Sequence, residues 1–113
     1  MFETASDEGF LPALPGVDRK TLVYGQRTLS TEFRMKAGSV LPVHSHPYEQ
    51  TGYLISGRVR LAIGEEQFDA GPGASWCIPA DVAHGAAIVE DSVAIEIFSP
   101  TRDDYLPAPS RPK

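Results

Sequence analysis

The chain has 113 residues, 42% hydrophobic and 22% charged, with 10 glycines and 10 prolines, which is the composition of one ordinary soluble domain. The 15 Asp and Glu against 10 Lys and Arg give a net charge of -5, so the chain lacks the basic footprint that a phosphate backbone needs, and nucleic acid is excluded as an expected partner. The single cysteine, Cys77, excludes an internal disulfide, and the length supports one core rather than two domains.

The opening run Met1-Phe2-Glu3-Thr4-Ala5-Ser6-Asp7-Glu8 has neither a basic nor an apolar stretch of the leader type, and no apolar run nears the roughly 18 residues of a membrane span. The expectation is a cytoplasmic protein without a membrane partner. A lone cysteine suits a reducing compartment.

Residues 1–20, with Pro12, Pro15 and Gly16, read as a loosely docked arm. From Leu29 to Met35 the alternation is regular: Leu29, Thr31, Phe33 and Met35 share one face and Ser30, Glu32 and Arg34 the other. Ala37-Gly38 ends that strand. After a Ser56-Gly57 turn, Val59, Leu61 and Ile63 point inward and Arg58 and Arg60 outward, and Gly64-Glu65-Glu66 closes a hairpin. A strand over Gln67 to Ala70 runs into the turn Gly71-Pro72-Gly73, and Ala74 to Ile78 is extended before Pro79. Apolar runs Ala86 to Val89 and Val93 to Phe98 flank a turn at Glu90-Asp91-Ser92. A C-terminal tail covers 100–113, and its part after Pro107, with Pro109 and Pro112, reads as a flexible end. Short strands punctuated by Gly and Pro, with no sustained helical period, predict an all-β sandwich or barrel occupying about residues 21–99.

All three histidines lie in His44-Ser45-His46 and Val82-Ala83-His84, each at a strand edge beside Pro or Gly. On an extended backbone positions 44 and 46 project from one face, roughly 6.5 to 7 Å apart, so two imidazoles can lean onto one ion. Pro47 favours an extended His46 followed by a turn, which returns Gln50 toward the same point, and His84 would complete the set. Taken alone, an H-x-H is more often a pair of ordinary satisfied histidines.

The surroundings reverse that weighting. Gly38-Ser-Val-Leu-Pro-Val-His44-Ser-His46-Pro-Tyr-Glu-Gln50, followed by Gly57, resembles the first cupin motif, G-x5-H-x-H-x3,4-E-x6-G, with Gln50 at the metal-binding Glu position. Gly73-Ala-Ser-Trp-Cys-Ile-Pro79-Ala-Asp81-Val-Ala-His84 resembles the second, G-x5-P-x-G-x2-H-x3-N, with Asp81 for its second Gly and Ile88 for its Asn. Within the cupins the chain looks most like the small pectin-degradation proteins that linearise unsaturated uronates, which carry H-x-H-P-x-E-Q and close with a run like Phe98-Ser99-Pro100-Thr101-Arg102-Asp103-Asp104-Tyr105-Leu106. The resemblance covers roughly residues 20 to 106. It implies a double-stranded β-helix, an antiparallel jelly-roll barrel of six to eight strands.

It also implies one divalent transition metal on His44, His46, Gln50 and His84. Strand parity favours Gln50 over Glu49 as the fourth ligand. Three imidazoles and an amide oxygen leave the cation's charge uncompensated, which suits Lewis-acid work, and the set accepts nickel, iron, zinc, manganese, cobalt or copper. Glu96 and Phe98 share a face of the last strand opposite Val93, Ile95 and Ile97. On pattern alone Glu96 reads as a solvated carboxylate with the Val/Ile face buried. The resemblance instead implies Glu96 as proton-transfer group, in place of the family's Asp, with Phe98 and Arg102 binding substrate and Arg102 also catalytic.

Tyr48 is a candidate for the pocket rim, Tyr53, Trp76 and Phe33 for barrel wall, and Cys77 for a small buried hydrophobe. Asp81 is expected to turn the backbone or to partner His84. The leading expectation is a metal-dependent lyase or isomerase that ring-opens an unsaturated monouronate, acting on a small-molecule substrate as a homodimer whose arm pairs with the partner's sheet. A metal-dependent dioxygenase and a non-catalytic binding or sensor barrel are the rivals.

Overall fold

The computed structural model describes residues 1–107. Its elements are β1 (Leu11–Leu14), β2 (Val17–Tyr24), β3 (Leu29–Met35), β4 (Val40–His44), β5 (Glu49–Ile63), β6 (Glu66–Ala70), β7 (Ser75–Ile78) and β8 (His84–Ser99), then a short 3-10 turn at Asp103–Tyr105. All strand pairings are antiparallel. The expected double-sheet barrel is what the chain forms.

Two long strands organise it. β5 and β8 pair from Glu49↔Ser99 to Ile63↔His84, and each changes neighbour halfway along. The first part of β5 pairs with β7 and its second part with β6. β4 lies beside the first part of β8 and β3 beside the second. One layer therefore runs β1-β2-β3-β8-β5-β7 and the other β4-β8-β5-β6, joined where the two long strands bend.

The bend corrects two expectations. Ser56-Gly57 and Glu90-Asp91-Ser92 are not chain-reversing turns but irregularities inside continuous strands, with register shifts between Leu54, Ser56, Arg58 and Val59. Such bulges turn a strand without ending its ladder. Gly57 has φ +94°, and a Cβ there would lie 2.2 Å from Ser92 Oγ and 2.3 Å from Asp91 O. Buried Ser92 fastens the crossing by donating to Glu90 O at 2.7 Å and accepting from Arg58 N–H at 3.1 Å.

The core follows from alternation. In β3 Leu29, Thr31, Phe33 and Met35 are buried while the residues between them are half-exposed. They pack with Val17, Leu54, Val59, Ile88, Ala94 and Phe98. Burying a side chain of this size contributes about 1.5–3 kcal/mol.

The arm boundary drawn at residue 20 cuts through β2, which pairs along β3 from Val17↔Met35 to Tyr24↔Leu29 and is anchored by fully buried Val17. Only residues 1–10 lack strand structure at this end. In the first part of the tail Tyr105 and Leu106 pack on the core, and Thr101 Oγ1 donates to Gly25 O at 2.9 Å. The remainder of that expected flexible tail, with Pro109 and Pro112, lies outside the described residues. Cys77 and Tyr53 are corrected as well. Both alternate outward, Cys77 exposed rather than buried and Tyr53 at 48% exposure rather than barrel wall.

Gly57→Ala should destabilise the protein by about 1–3 kcal/mol, the usual range for a side chain forced into a packed site. Gly25→Ala, where an added Cβ meets nothing within 4 Å, should stay within about 0.5 kcal/mol of the parent. Urea denaturation checks both, and equal midpoints for the two variants would contradict this account of the bend.

Candidate metal centre and pocket

β4 ends at His44, which stands opposite His84, the first residue of β8. This pairing needs close backbones. A Cβ on Gly85 would lie 2.9 Å from Leu41 O and 3.2 Å from Val43, so only a glycine lets β4 approach there. His46 follows on the β4–β5 loop, and Asp81 N–H donates to His46 O at 2.8 Å, tying that loop to the one leading into His84. Asp81 has φ +67°, a left-handed conformation that Asp tolerates better than most side chains. Its side chain makes no bond to His84, whose ring is held instead by Val82 O.

The ring centroids of His44 and His84 are 4.3 Å apart, those of His46 and His84 4.7 Å and those of His44 and His46 5.7 Å. One nitrogen from each lies within 4.8 Å of the others. Each Nδ1 sits against a backbone carbonyl: His44 to Pro42 O at 2.7 Å, His46 to Tyr48 O at 3.1 Å and His84 to Val82 O at 2.9 Å. A carbonyl only accepts, so each Nδ1 carries the proton and each Nε2 presents a lone pair toward the cluster.

Gln50 completes the arrangement. It is buried on β5 while neighbouring Glu49 is exposed, so parity sets the amide toward the imidazoles. Gln50 Nε2 donates to Glu96 Oε2 at 2.8 Å, and its Oε1 lies 3.0 Å from His46 Nε2. Two acceptors thus face each other, and buried His84 Nε2 has no hydrogen-bond partner. A cation reconciles both facts. The residues present therefore fit a divalent transition metal. His44 is exposed and His84 buried, which leaves the cluster open on one side.

The pocket beside the cluster has a cavity volume of ≈ 90 Å³, and its lining includes the three histidines, Gln50, Trp76, Glu96, Phe98, Arg102 and Tyr105. Glu96 is buried, whereas Val93 and Ile95 are half-buried and Ile97 is 39% exposed. The pattern-only reading, with the Val/Ile face inward, is therefore overturned. Thr31, buried on β3, donates to Glu96 O at 2.9 Å. Desolvation pushes the Glu96 carboxyl up to about 8, opposed by the Gln50 amide and then by the Trp76 indole. The indole Nε1 of Trp76 is itself buried and has no hydrogen-bond partner. Burial likewise holds His84 below the ordinary imidazole range, so it stays neutral and able to ligate.

Arg102 is not an exposed tail residue. Its side chain is 13% exposed, with the guanidinium 3.8 Å from the Tyr105 ring centroid, 4.8 Å from that of Phe98 and 4.9 Å from that of Tyr48. Nε–H and Nη2–H donate to Asp104 at 3.1 and 2.7 Å. Tyr48 is placed behind Arg102 and beside His46 rather than in the pocket lining, because its strand-edge position turns it toward the C-terminal segment. Tyr105 and Asp104 went unremarked in the sequence as site residues. Their signal was their place in the run from Phe98 to Leu106.

His46→Ala and His84→Ala should each lower bound divalent metal from one per chain to near zero, while Cys77→Ser leaves it unchanged. Elemental analysis after dialysis reads this, and full occupancy in both histidine variants would remove them as ligands. In metal-free protein, raised Glu96 favours the fold below the ordinary carboxylate value of 4.5, and that contribution is lost as pH rises toward about 8. Lowered His84 acts oppositely, adding stability as pH rises toward 6.5. Comparison with Glu96→Gln isolates the carboxyl: the parent's stability relative to that variant should fall between pH 4.5 and 8, measured by denaturation in chelator.

A cupin-domain family model matches residues 31–99. Among solved structures, the chain is similar to KdgF from Halomonas sp., with 29% identity and a TM-score of 0.84 over 88% of this chain and 94% of that one. An RmlC-like cupin from Shewanella frigidimarina NCIMB 400 shares 23% identity with a TM-score of 0.88, covering 93% and 95% of the two chains. The polyketide cyclase RemF from Streptomyces resistomycificus shares 20% identity with a TM-score of 0.72, covering 88% and 80%. No curated protein sequence matches. No helix of the described chain is long and apolar enough to cross a membrane. With both histidine motifs folded onto one open cluster inside a double-sheet barrel and the family model spanning most of that barrel, the chain belongs to the cupin family.

Proposed function

We propose that this cupin is a metal-dependent lyase or isomerase that opens the ring of an unsaturated monouronate. The observation that carries the reading is buried Glu96, bonded to Gln50 beside the three imidazoles, in one pocket with Phe98 and Arg102. The shared run from Phe98 to Leu106 and the 29% identity with KdgF support it. His44, His46, Gln50 and His84 would hold the metal, which when bound supplies a Lewis acid for a substrate hydroxyl or carbonyl.

Ring opening gains and loses no atoms. The anomeric hydroxyl gives up a proton as the C1–O5 bond breaks, C1 becomes an aldehyde, and the C4=C5 enol ether becomes a C5 ketone when a proton reaches C4. Glu96 is the group to carry these protons, because its raised carboxyl value lets both forms exist near neutral pH. Arg102 is the pocket's guanidinium for the substrate carboxylate. Asp104 takes Nε–H and one Nη2–H, so the Nη1 hydrogens and the second Nη2–H remain for a ligand. Phe98, edge-on to both His46 and Tyr105, supplies an apolar wall that excludes water.

The test is loss of ultraviolet absorbance from unsaturated monouronates in metal-loaded protein. Glu96→Gln should reduce turnover by roughly two to four orders of magnitude with metal content intact. Arg102→Lys should act chiefly on KM, because it keeps charge and loses the planar fork. A fully active Glu96→Gln variant would remove the proton role, oxygen uptake coupled to turnover would assign a dioxygenase instead, and tight ligand binding without turnover would assign a binding barrel.

A further inference from the structure

We propose that Trp76 is a positioning residue, whose indole N–H reaches across Gly52 to hold the Glu96 carboxylate in register with Gln50. The inference rests on the reading of Glu96 as the proton-transfer group.

The placement follows from three adjacent strands. Gly52 on β5 lies opposite Trp76 on β7 on one side and opposite Glu96 on β8 on the other. All three residues face inward, because Gln50, Gly52 and Leu54 alternate toward the core and Trp76 and Glu96 line the pocket. Between Trp76 and Glu96 there is no side chain. A Cβ built on Gly52 would lie 2.2 Å from Trp76 Nε1 and 2.2 Å from Cε2, so the nitrogen edge of the ring occupies the space that any other residue would fill. The indole thus lies over Gly52 of β5, on the row that links β7 to Glu96 of β8.

That N–H is buried and has no hydrogen-bond partner. A buried donor without a partner is destabilising, and the acceptor that shares the pocket with it across Gly52 is the Glu96 carboxyl. One carboxylate oxygen, Oε2, already accepts from Gln50 at 2.8 Å. Thr31 holds the backbone oxygen of the same residue, so an indole contact would brace Glu96 from three strands. A carboxylate one methylene longer than Asp has an extra rotatable bond, and restraint from both sides keeps it aimed at the pocket. Gly52 is required for that restraint by its lack of a side chain.

The chain has one tryptophan, so the nitrogen–proton correlation spectrum holds a single indole cross-peak, and no substrate or metal is needed to read it. In metal-free protein the indole proton should be deshielded by the Glu96 carboxyl oxygen, and Glu96→Leu should shift it upfield. Gly52→Ala should move it too, since the added methyl displaces the ring. In the uronate assay Trp76→Phe keeps the ring and loses the donor, so kcat should fall about ten- to a hundredfold, the worth of one hydrogen bond to a charged group, with KM unchanged. An indole peak unmoved by Glu96→Leu would overturn the proposal, as would full kcat in Trp76→Phe. If Glu96→Leu fails to fold, Glu96→Ala takes its place, because it also removes the acceptor, and an unmoved peak again overturns the proposal. Absence of uronate turnover in the parent would refute the substrate reading alone, since the spectrum tests the Trp76–Glu96 contact by itself.

Discussion

The site depends on the fold-over of the β5–β8 ladder. His84 and Glu96 sit twelve positions apart on one strand, and twelve residues of straight strand would separate them by about 40 Å. They line the same pocket because β8 bends at Ser92 and β5 bends with it at Gly57. The positive φ of Gly57 and the hydrogen bonds of Ser92 are therefore conditions of the chemistry as much as of the barrel. A rigid ladder on either side then carries each ligand with it. His84 is set by its pairing with His44 at one end, and Gln50 by its pairing with Phe98 at the other.

Within that frame the electrostatics are unusual for a metal centre. Three imidazoles and an amide carry no charge, so the negative group that answers the cation lies one bond further out, at Glu96 behind Gln50. The amide works as a relay of orientation: its N–H points to the carboxylate, which forces its oxygen toward His46. Without a cation, burial keeps Glu96 protonated to well above the usual carboxylate range. With one, the same carboxyl feels a positive charge through a short polarisable bridge and gives up its proton more readily. Loading and proton affinity are coupled by geometry, as the proposed Lewis-acid site with an adjoining proton carrier requires.

Much of this was legible in the residues. The alternation of β3 showed its buried face, and H-x-H beside Pro47 showed that two imidazoles and Gln50 would share a side. Where pattern misled, one physical reason recurs. In a barrel the inward face of a strand near the site is the polar one, so Ile95 and Ile97 turn outward while Glu96 turns in, the reverse of what burial statistics suggest. The bends at Gly57 and Ser92 looked like turns because Gly and Asp-Ser punctuate both reversals and bulges, and only long-range pairing tells them apart. Tyr105 and Asp104 were marked only by their place in the run from Phe98 to Leu106, since their role comes from a segment folding back onto Arg102.

That segment explains how an acidic protein with a net charge of -5 keeps a cation in its pocket. Apart from the imidazoles, Arg102 is the one basic side chain among the described residues lining it. Stacked among Tyr48, Phe98 and Tyr105, its guanidinium is largely withdrawn from solvent, and Asp104 compensates part of its charge at the edge that faces outward. The pair is reciprocal: Arg102 holds the Asp104 carboxyl below its ordinary range. A substrate carboxylate that approached the same edge would have to displace Asp104, gaining only the difference between two similar bonds. At the free edge it adds to a guanidinium already fixed in plane, so little side-chain entropy remains to be lost on binding. Asp104 and the three aromatic rings thus hold Arg102 in plane, leaving its end-on hydrogens as the anionic subsite that the proposed function calls for.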